Sequence, residues 1–193
     1  MVSPAPPSVP EADLEARGWV RSDDRTETVF EGLGVTVRSR TLVYEDRDLR
    51  AAVAEAGGPD RIWRFLFVSR LTMVPSPAFG VHAAVRPHVL RESKQAFAER
   101  LRDRGIENVE VGESDRTELA GDRRARLTPY RGTIPLEDGD ETEPSVDVVG
   151  RLAVWYDDGF YIAGCVGPSG PIDGWVEADT DGDSLLAIIR TVA

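Results

Sequence analysis

Cysteine, lysine and histidine are scarce in this chain of 193 residues. Cys165 is the single cysteine, which excludes an intrachain disulfide and any metal site built from several cysteines. Lys94 is the single lysine, and His82 and His88 are the two histidines. No apolar run approaches the ~20 residues that a membrane-spanning helix needs. With 41% hydrophobic residues, the chain is predicted to fold around a real core rather than to be disordered.

Motifs of the common catalytic and cofactor sites are also missing from the sequence. It contains no His-Glu-x-x-His zinc motif, no Gly-x-Ser-x-Gly nucleophile motif and no Walker-type glycine loop. For His82 and His88 the sequence does not place the carboxylate or hydroxyl partners that a metal or general-base role would need, so we expect packing or surface histidines. Cys165 lies among apolar strand residues, where cysteine is a small core side chain. We therefore predict no catalytic residue and no cofactor, and the sequence favours a protein that is not an enzyme while leaving an enzyme as the alternative.

The charge composition is strongly acidic. Asp and Glu total 34 against 23 Lys and Arg, and the net charge is −11. Such a surface argues against nucleic acid as a partner, because phosphate binding needs basic residues. A GC-rich genome explains arginine in place of lysine, but it does not explain the excess of carboxylates. The acidic excess favours a halophilic source, since dense salt screens the self-repulsion of a highly charged protein.

The chain divides into a short leading segment and one domain. Residues 1–10 contain four prolines and no charged side chain, which predicts a disordered, extended tail. This segment lacks the charged start and apolar run of a secretory signal, so the expected location is cytoplasmic. Residues 11–193 are predicted to form a single domain.

Hydrophobic patterning and turn residues place the elements of that domain. Helices are predicted over residues 11–18, 48–56, 86–104 and 184–192. Strands are predicted over residues 26–31, 35–45, 61–74, 106–111, 116–119, 122–135, 146–156 and 160–166. The run over 61–74 is the most apolar and indicates a central strand. In the strand over 35–45 the apolar parity changes, so either a bulge re-aims it or both faces are partly covered.

The element order predicts an α+β fold with a single antiparallel sheet. Two hairpins carry this prediction, one joined at Gly32-Leu33-Gly34 and one turned at Asp158-Gly159, a pair that suits a type I′ turn. Helices do not alternate with strands, so a dinucleotide-binding fold is not expected.

One acidic segment has the spacing of a partial calcium loop. Oxygen ligands alternate at Glu177, Asp179, Asp181 and Asp183, with Gly182 available for a sharp turn. The position that should supply a bidentate glutamate is Ile188 instead. The alternative is an acidic loop that caps the last helix.

A second candidate site is a run of arginines on one predicted hairpin. Arg123, Arg124, Arg126 and Arg131 could present an anion-binding face. The alternative is charge pairing with the five carboxylates of the adjacent loop over residues 136–145, which contributes little per pair at a surface. The neighbouring aromatic pairs, Trp155-Tyr156 and Phe160-Tyr161, are expected to fill the core, whereas Trp175 is expected to be exposed.

The layout resembles an uncharacterised family of haloarchaeal proteins that carry a domain of unknown function. The residues that carry the resemblance span 26–44, 62–75, 93–104 and 146–164. Many such relatives look like lipoproteins with a lipobox cysteine, which this chain lacks, so the resemblance does not imply membrane anchoring here. The layout is also similar to the PsbP/Mog1-like fold, an antiparallel sheet between helices that hosts mostly binding and assembly roles.

These observations favour a soluble, non-enzymatic module that binds or assembles with a protein partner. One alternative is a small-ligand binder or enzyme that uses the concave face of the sheet. Another is a weak calcium-binding module at residues 177–183.

Overall fold

The computed structural model of this chain describes residues 4–32, 34–75, 81–136, 145–172, 174–176 and 182–192. The helices are α1 (Glu11–Glu15), α2 (Arg47–Glu55), α3 (Val81–Asp103) and α4 (Gly182–Val192), with one 3₁₀ turn at Ala120–Asp122. The strands are β1 (Trp19–Gly32), β2 (Val35–Asp46), β3 (Phe65–Val74), β4 (Glu107–Val111), β5 (Asp115–Glu118), β6 (Arg124–Pro135), β7 (Ser145–Tyr156) and β8 (Phe160–Pro168).

The eight strands form one antiparallel sheet. Their order is β1-β2-β3-β8-β7-β6-β4, and the short β5 also pairs with β6. This confirms the predicted α+β class with an antiparallel sheet. The apolar strand β3 lies between β2 and β8, as predicted for a central strand. The pairing of β3 with β8 joins the first half of the chain to the last.

Both faces of the sheet are covered, and each face has its own apolar core. The first core lies under α2 and α3, and its largest members include Trp63, Phe67, Phe97 and Tyr130. The second core lies under α1 and α4 and includes Leu14, Tyr44, Trp155 and Ile189. Side chains alternate along β3, so Phe65 and Phe67 enter the first core while Leu66 and Val68 enter the second. This explains why the sequence of β3 is a continuous apolar run.

The change of parity in β2 has the same cause. Val43 packs in the first core and Leu42 and Tyr44 pack in the second. The register of β2 with β3 is continuous from Thr36 to Glu45, so no bulge re-aims the strand there. The register shifts lie instead in β1, near positions 22 and 29. Bulges and charged residues in an edge strand hinder pairing with other chains.

Helix α3 is longer than predicted because it begins at Val81 and contains Pro87. Phe97 is its central core residue. The ring centroid of Phe97 lies 5.5 Å from that of Phe67 and 4.8 Å from that of Tyr130. Gly164 of β8 permits this packing, because a Cβ at that position would overlap the Phe67 ring.

Two local predictions are corrected. In the late hairpin the last paired residues are Tyr156 and Phe160, and the three residues Asp157 to Gly159 connect them. The connection is therefore not a two-residue type I′ turn. Trp175 is not exposed, as the sequence predicts, but half-buried against the first core. Among the aromatic side chains of the described ranges, Phe30 near the end of β1 is exposed, at 45%.

The segment before α1 has no helix or strand over residues 4–10. Pro4 and Pro7 are buried, and Val9 packs against the second core. The division into a disordered tail and one domain stays a prediction. Among the helices in the described ranges, none is long and apolar enough to cross a membrane.

Candidate functional site

A cleft of about 300 Å³ opens beside the turn that joins β7 to β8. It is lined by Ser8, Val9, Pro10, Arg123, Trp155, Asp157, Tyr161 and Val192. Four parts of the chain meet here: the segment before α1, the residue that precedes β6, the β7–β8 hairpin and the last turn of α4. The volume is at the lower end of the range for small-molecule sites, about 300–1,000 Å³.

The wall of the cleft is an aromatic pair. Trp155 and Tyr161 are partners across the β7–β8 ladder, so their side chains lie on the same face of the sheet. Their rings are stacked, with centroids 5.4 Å apart and planes 13° apart. Trp155 is buried in the second core and Tyr161 is half-buried. The pair therefore gives the cleft a rigid apolar side.

Ion pairs fix the turn at the mouth of the cleft. Arg123 Nε lies 3.2 Å from Asp157 Oδ2. Arg70 Nη2 on β3 lies 2.6 Å from Asp158 Oδ2. Each carboxylate of the turn therefore has its own guanidinium, and the polar rim carries little net charge.

Tyr161 is tied to the same turn by its hydroxyl. Its O–H donates to Asp158 Oδ1 at 2.7 Å, and the guanidinium carbon of Arg70 lies 5.6 Å from its ring centroid. Burial, followed by the hydrogen bond to Asp158, raises the pKa of Tyr161 to about 12. The phenol therefore stays protonated near neutral pH, where it is a donor and not a base.

The side chains that could act as a nucleophile or as bases, Cys165 and the two histidines, do not line the cleft. Cys165 is fully buried in the second core, and burial raises the pKa of its thiol to about 12. The ring of His82 stacks on Tyr156 at 4.3 Å between centroids. His88 is exposed, and its Nδ1 lies 2.9 Å from Arg91 Nη2. Neither histidine lines the cleft.

The four arginines of the anion hypothesis do not all meet at one place. Arg123 lines the cleft, while Arg124 opposes Glu118 in β5 and Arg131 opposes Glu110 in β4. Arg126 Nη1 donates to the carbonyl oxygen of Ser114 at 3.3 Å. Alternation along β6 puts Arg124 and Arg126 on the face of the first core and Arg131 on the face of the second. An anion site built from these residues stays a prediction.

The calcium hypothesis falls largely outside the described residues, because Glu177, Asp179 and Asp181 lie there. Asp183 is exposed in the first turn of α4. Within the described ranges, no group of three or more His, Cys, Asp and Glu side chains is placed to hold a metal ion. The site at residues 177–183 stays a prediction.

Sequence reasoning missed the combination of Arg70, Asp158 and Tyr161. The signal available was the turn sequence Asp157-Asp158-Gly159 beside an aromatic pair. Arg70 could not be added to it, because only the pairing of β3 with β8 brings Arg70 opposite Tyr161.

Comparison with known proteins gives one result. A family model described as a domain of unknown function, DUF6517, matches residues 6–193, which is nearly the whole chain. No curated protein and no solved structure matches the chain.

Proposed function

We propose that this protein, which belongs to the DUF6517 family, is a non-enzymatic binding protein whose cleft takes a small ligand with an apolar body. The observation that carries the proposal is the stacked Trp155–Tyr161 wall beside the Arg123–Asp157 ion pair. Apolar walls with a few fixed polar groups are typical of small-molecule sites.

The polar rim suggests the charge of the ligand. Arg123 offers N–H donors and Asp157 offers acceptor oxygens, and the two groups already neutralise each other. A ligand with a large net charge would have to break this pair. A neutral or zwitterionic ligand can add hydrogen bonds to both groups while its apolar part contacts Val9 and Trp155.

Binding is favoured over catalysis by the chemistry of the groups that line the cleft. Tyr161 is held protonated by burial and by Asp158, so it is not a base near neutral pH. Asp157 is paired with Arg123 and is exposed to solvent. His82, His88 and Cys165 are not among the side chains that line the cleft.

Filling the cleft tests the proposal. Ser8 is exposed and lines the cleft, so Ser8→Trp should occupy it with little effect on the fold. The matched control is Ser169→Trp, at an exposed position after β8. The probes are L-phenylalanine, L-leucine and a neutral aromatic alcohol, followed by NMR chemical-shift changes of the native protein.

The expected result is saturable shifts at the indole N–H of Trp155 in the native protein and in Ser169→Trp. The same probes should produce at least tenfold weaker binding in Ser8→Trp. Shifts that persist unchanged in Ser8→Trp, or that are missing for every probe in the native protein, would contradict a ligand site in this cleft.

Three broader proposals rest on composition and layout. The net charge of −11 with a single lysine supports a halophilic, haloarchaeal origin. Full refolding without salt would contradict it.

Helices on both faces of an antiparallel sheet support the similarity to the PsbP/Mog1-like fold. The exposed apolar side chains Val29 and Phe30 would be the surface for assembly with a protein partner, but they lie on an edge strand whose bulges hinder pairing with another chain. The structure therefore supports ligand binding in the cleft better than it supports assembly with a partner.

A further inference from the structure

Arg100 of α3 and Arg104, which directly follows this helix, lie near each other on the opposite face of the sheet from the cleft. The guanidinium carbon of Arg100 is 5.2 Å from the ring centroid of Phe67, and that of Arg104 is 4.3 Å from the ring centroid of Phe65. Phe65 and Phe67 are two residues apart on β3, so both rings point to the same face. Arg104 is the first residue after α3, four positions beyond Arg100, and its positive charge helps to lower the pKa of Arg100.

No carboxylate in the described part of the chain forms an ion pair with Arg100 or Arg104 at 4.0 Å or less. Two of the nearby acids are paired with arginines other than Arg100 and Arg104: Glu45 lies 3.4 Å from Arg50, and Asp23 lies 3.6 Å from Arg25. The pKa values of Arg100 and Arg104 are lowered by burial and next by the positive charge of Arg25. Glu27 and Asp103 attract Arg100, and Glu45 and Asp23 attract Arg104, but only from beyond ion-pair distance, so both side chains carry partly desolvated charge.

Arg25 on β1 completes the group. Arg25 pairs with Thr41 of β2, and the hydroxyl of Thr41 is hydrogen-bonded to that of Ser69 on β3. Ser69 is two residues from Phe67, so the side chains of Arg25 and Phe67 lie on the same face of the sheet. Its Nε is shielded from solvent and makes no hydrogen bond in the described part of the structure. The nearest carboxylate oxygen to this Nε belongs to Glu27 at 3.5 Å, in a geometry that forms no hydrogen bond. A buried N–H without an acceptor is costly and is usually satisfied by a ligand or water.

We propose that Arg25, Arg100 and Arg104 form a binding site for a small multivalent phosphoryl anion. Guanidinium groups bind phosphate oxygens with paired N–H donors, and the aromatic rings under Arg100 and Arg104 hold two of the groups in place. The site is separate from the Trp155–Tyr161 cleft and does not depend on it. The competing explanation is that the arginine stems cover Phe65 and Phe67 and bind nothing.

The experiment uses inorganic pyrophosphate at constant ionic strength with the full chain. Arg100→Gln and Arg104→Gln each remove one guanidinium. The matched control is Arg102→Gln, which makes the same charge change at an exposed position of the same helical turn. Binding is measured by calorimetry and by the rise in Tm that pyrophosphate causes. Vesicles that contain an anionic phospholipid are a second arm, which separates a lipid headgroup from a free phosphoryl anion.

The expected result is saturable binding of pyrophosphate by the native protein and by Arg102→Gln, and at least tenfold weaker binding by Arg100→Gln and Arg104→Gln. If Arg104→Gln does not fold, Arg104→Lys keeps the charge but loses the paired donors, and it should still bind several-fold more weakly than the control. Equal binding by all variants, or no binding by the native protein in either arm, would overturn the proposal.

Discussion

Arg70 and Asp158 are 88 residues apart in the chain, and Nη2 of Arg70 donates to Oδ2 of Asp158 at 2.6 Å. The pair joins β3 to the turn between β7 and β8. Asp158 is 63% exposed, so the pair is a surface interaction, which contributes about 0–1 kcal/mol to stability. Its main effect is to orient Asp158, whose other oxygen accepts the hydrogen bond from Tyr161. The mouth of the cleft is therefore positioned by a non-local contact.

Replacing Asp158 should change the titration of Tyr161 more than it changes stability. In Asp158→Asn the negative charge that disfavours the phenolate is gone, so the pKa of Tyr161 should fall from about 12 towards its ordinary value. It should stay above that value, because burial is the larger cause. Absorbance titration of tyrosinate measures the change, with Tyr161→Phe to identify the signal. A Tyr161 titration that does not move in Asp158→Asn would contradict the hydrogen bond.

Gly164 should tolerate no side chain. A Cβ at Gly164 would overlap the Phe67 ring and approach Phe97 at 3.1 Å, so Gly164→Ala should destabilise the protein by about 1–3 kcal/mol or prevent folding. A Cβ at Gly170 would meet no atom within 4 Å, so Gly170→Ala is the control and should change stability by less than about 0.5 kcal/mol. Denaturant unfolding measures both. Equal stability of the two variants would show that Phe67 and Phe97 do not pack against Gly164 as described.

Much of the fold could be predicted from the sequence because its signals are local. The late hairpin has apolar strands around Asp158-Gly159, and α3 has Phe97 and Leu101 on one face. The pairing of β3 with β8 could not be predicted, because an apolar strand buried on both faces has no preferred partner in its own sequence. Arg123 belongs to a run of arginines that is visible in the sequence, whereas Arg70 is brought beside Tyr161 only by the pairing of β3 with β8.

Asp46 should be the residue on which the start of α2 depends. Its Oδ1 accepts the backbone N–H of Leu49 at 3.0 Å, and its Oδ2 lies 3.1 Å from Arg64 Nη1. Asp46→Ala removes both contacts and should cost about 1–2 kcal/mol, the usual range for the loss of an N-cap. Asp46→Asn keeps an oxygen for the cap and should lose less. Chemical denaturation of the two variants measures the difference, and a greater loss in Asp46→Asn would contradict the capping role.

The acid sensitivity of the protein should depend in part on Asp24 and Arg40. Arg40 donates to Asp24 from Nε at 3.0 Å and from Nη2 at 2.9 Å, and these bonds lower the pKa of the Asp24 carboxyl below its ordinary value of 3.8. A carboxyl whose pKa is lower in the folded state contributes stability above its unfolded pKa and loses that contribution as the pH falls through the folded pKa. Asp24→Asn should therefore lower Tm slightly near neutral pH and should flatten the fall in Tm below about pH 4.

The difference between Asp24→Asn and the native protein should shrink in concentrated salt, because Asp24 and Arg40 are accessible to solvent and their attraction is screened. The measurement is Tm against pH at low and high salt. Parallel curves for the two proteins over the whole acid range would show that this ion pair has no part in acid unfolding.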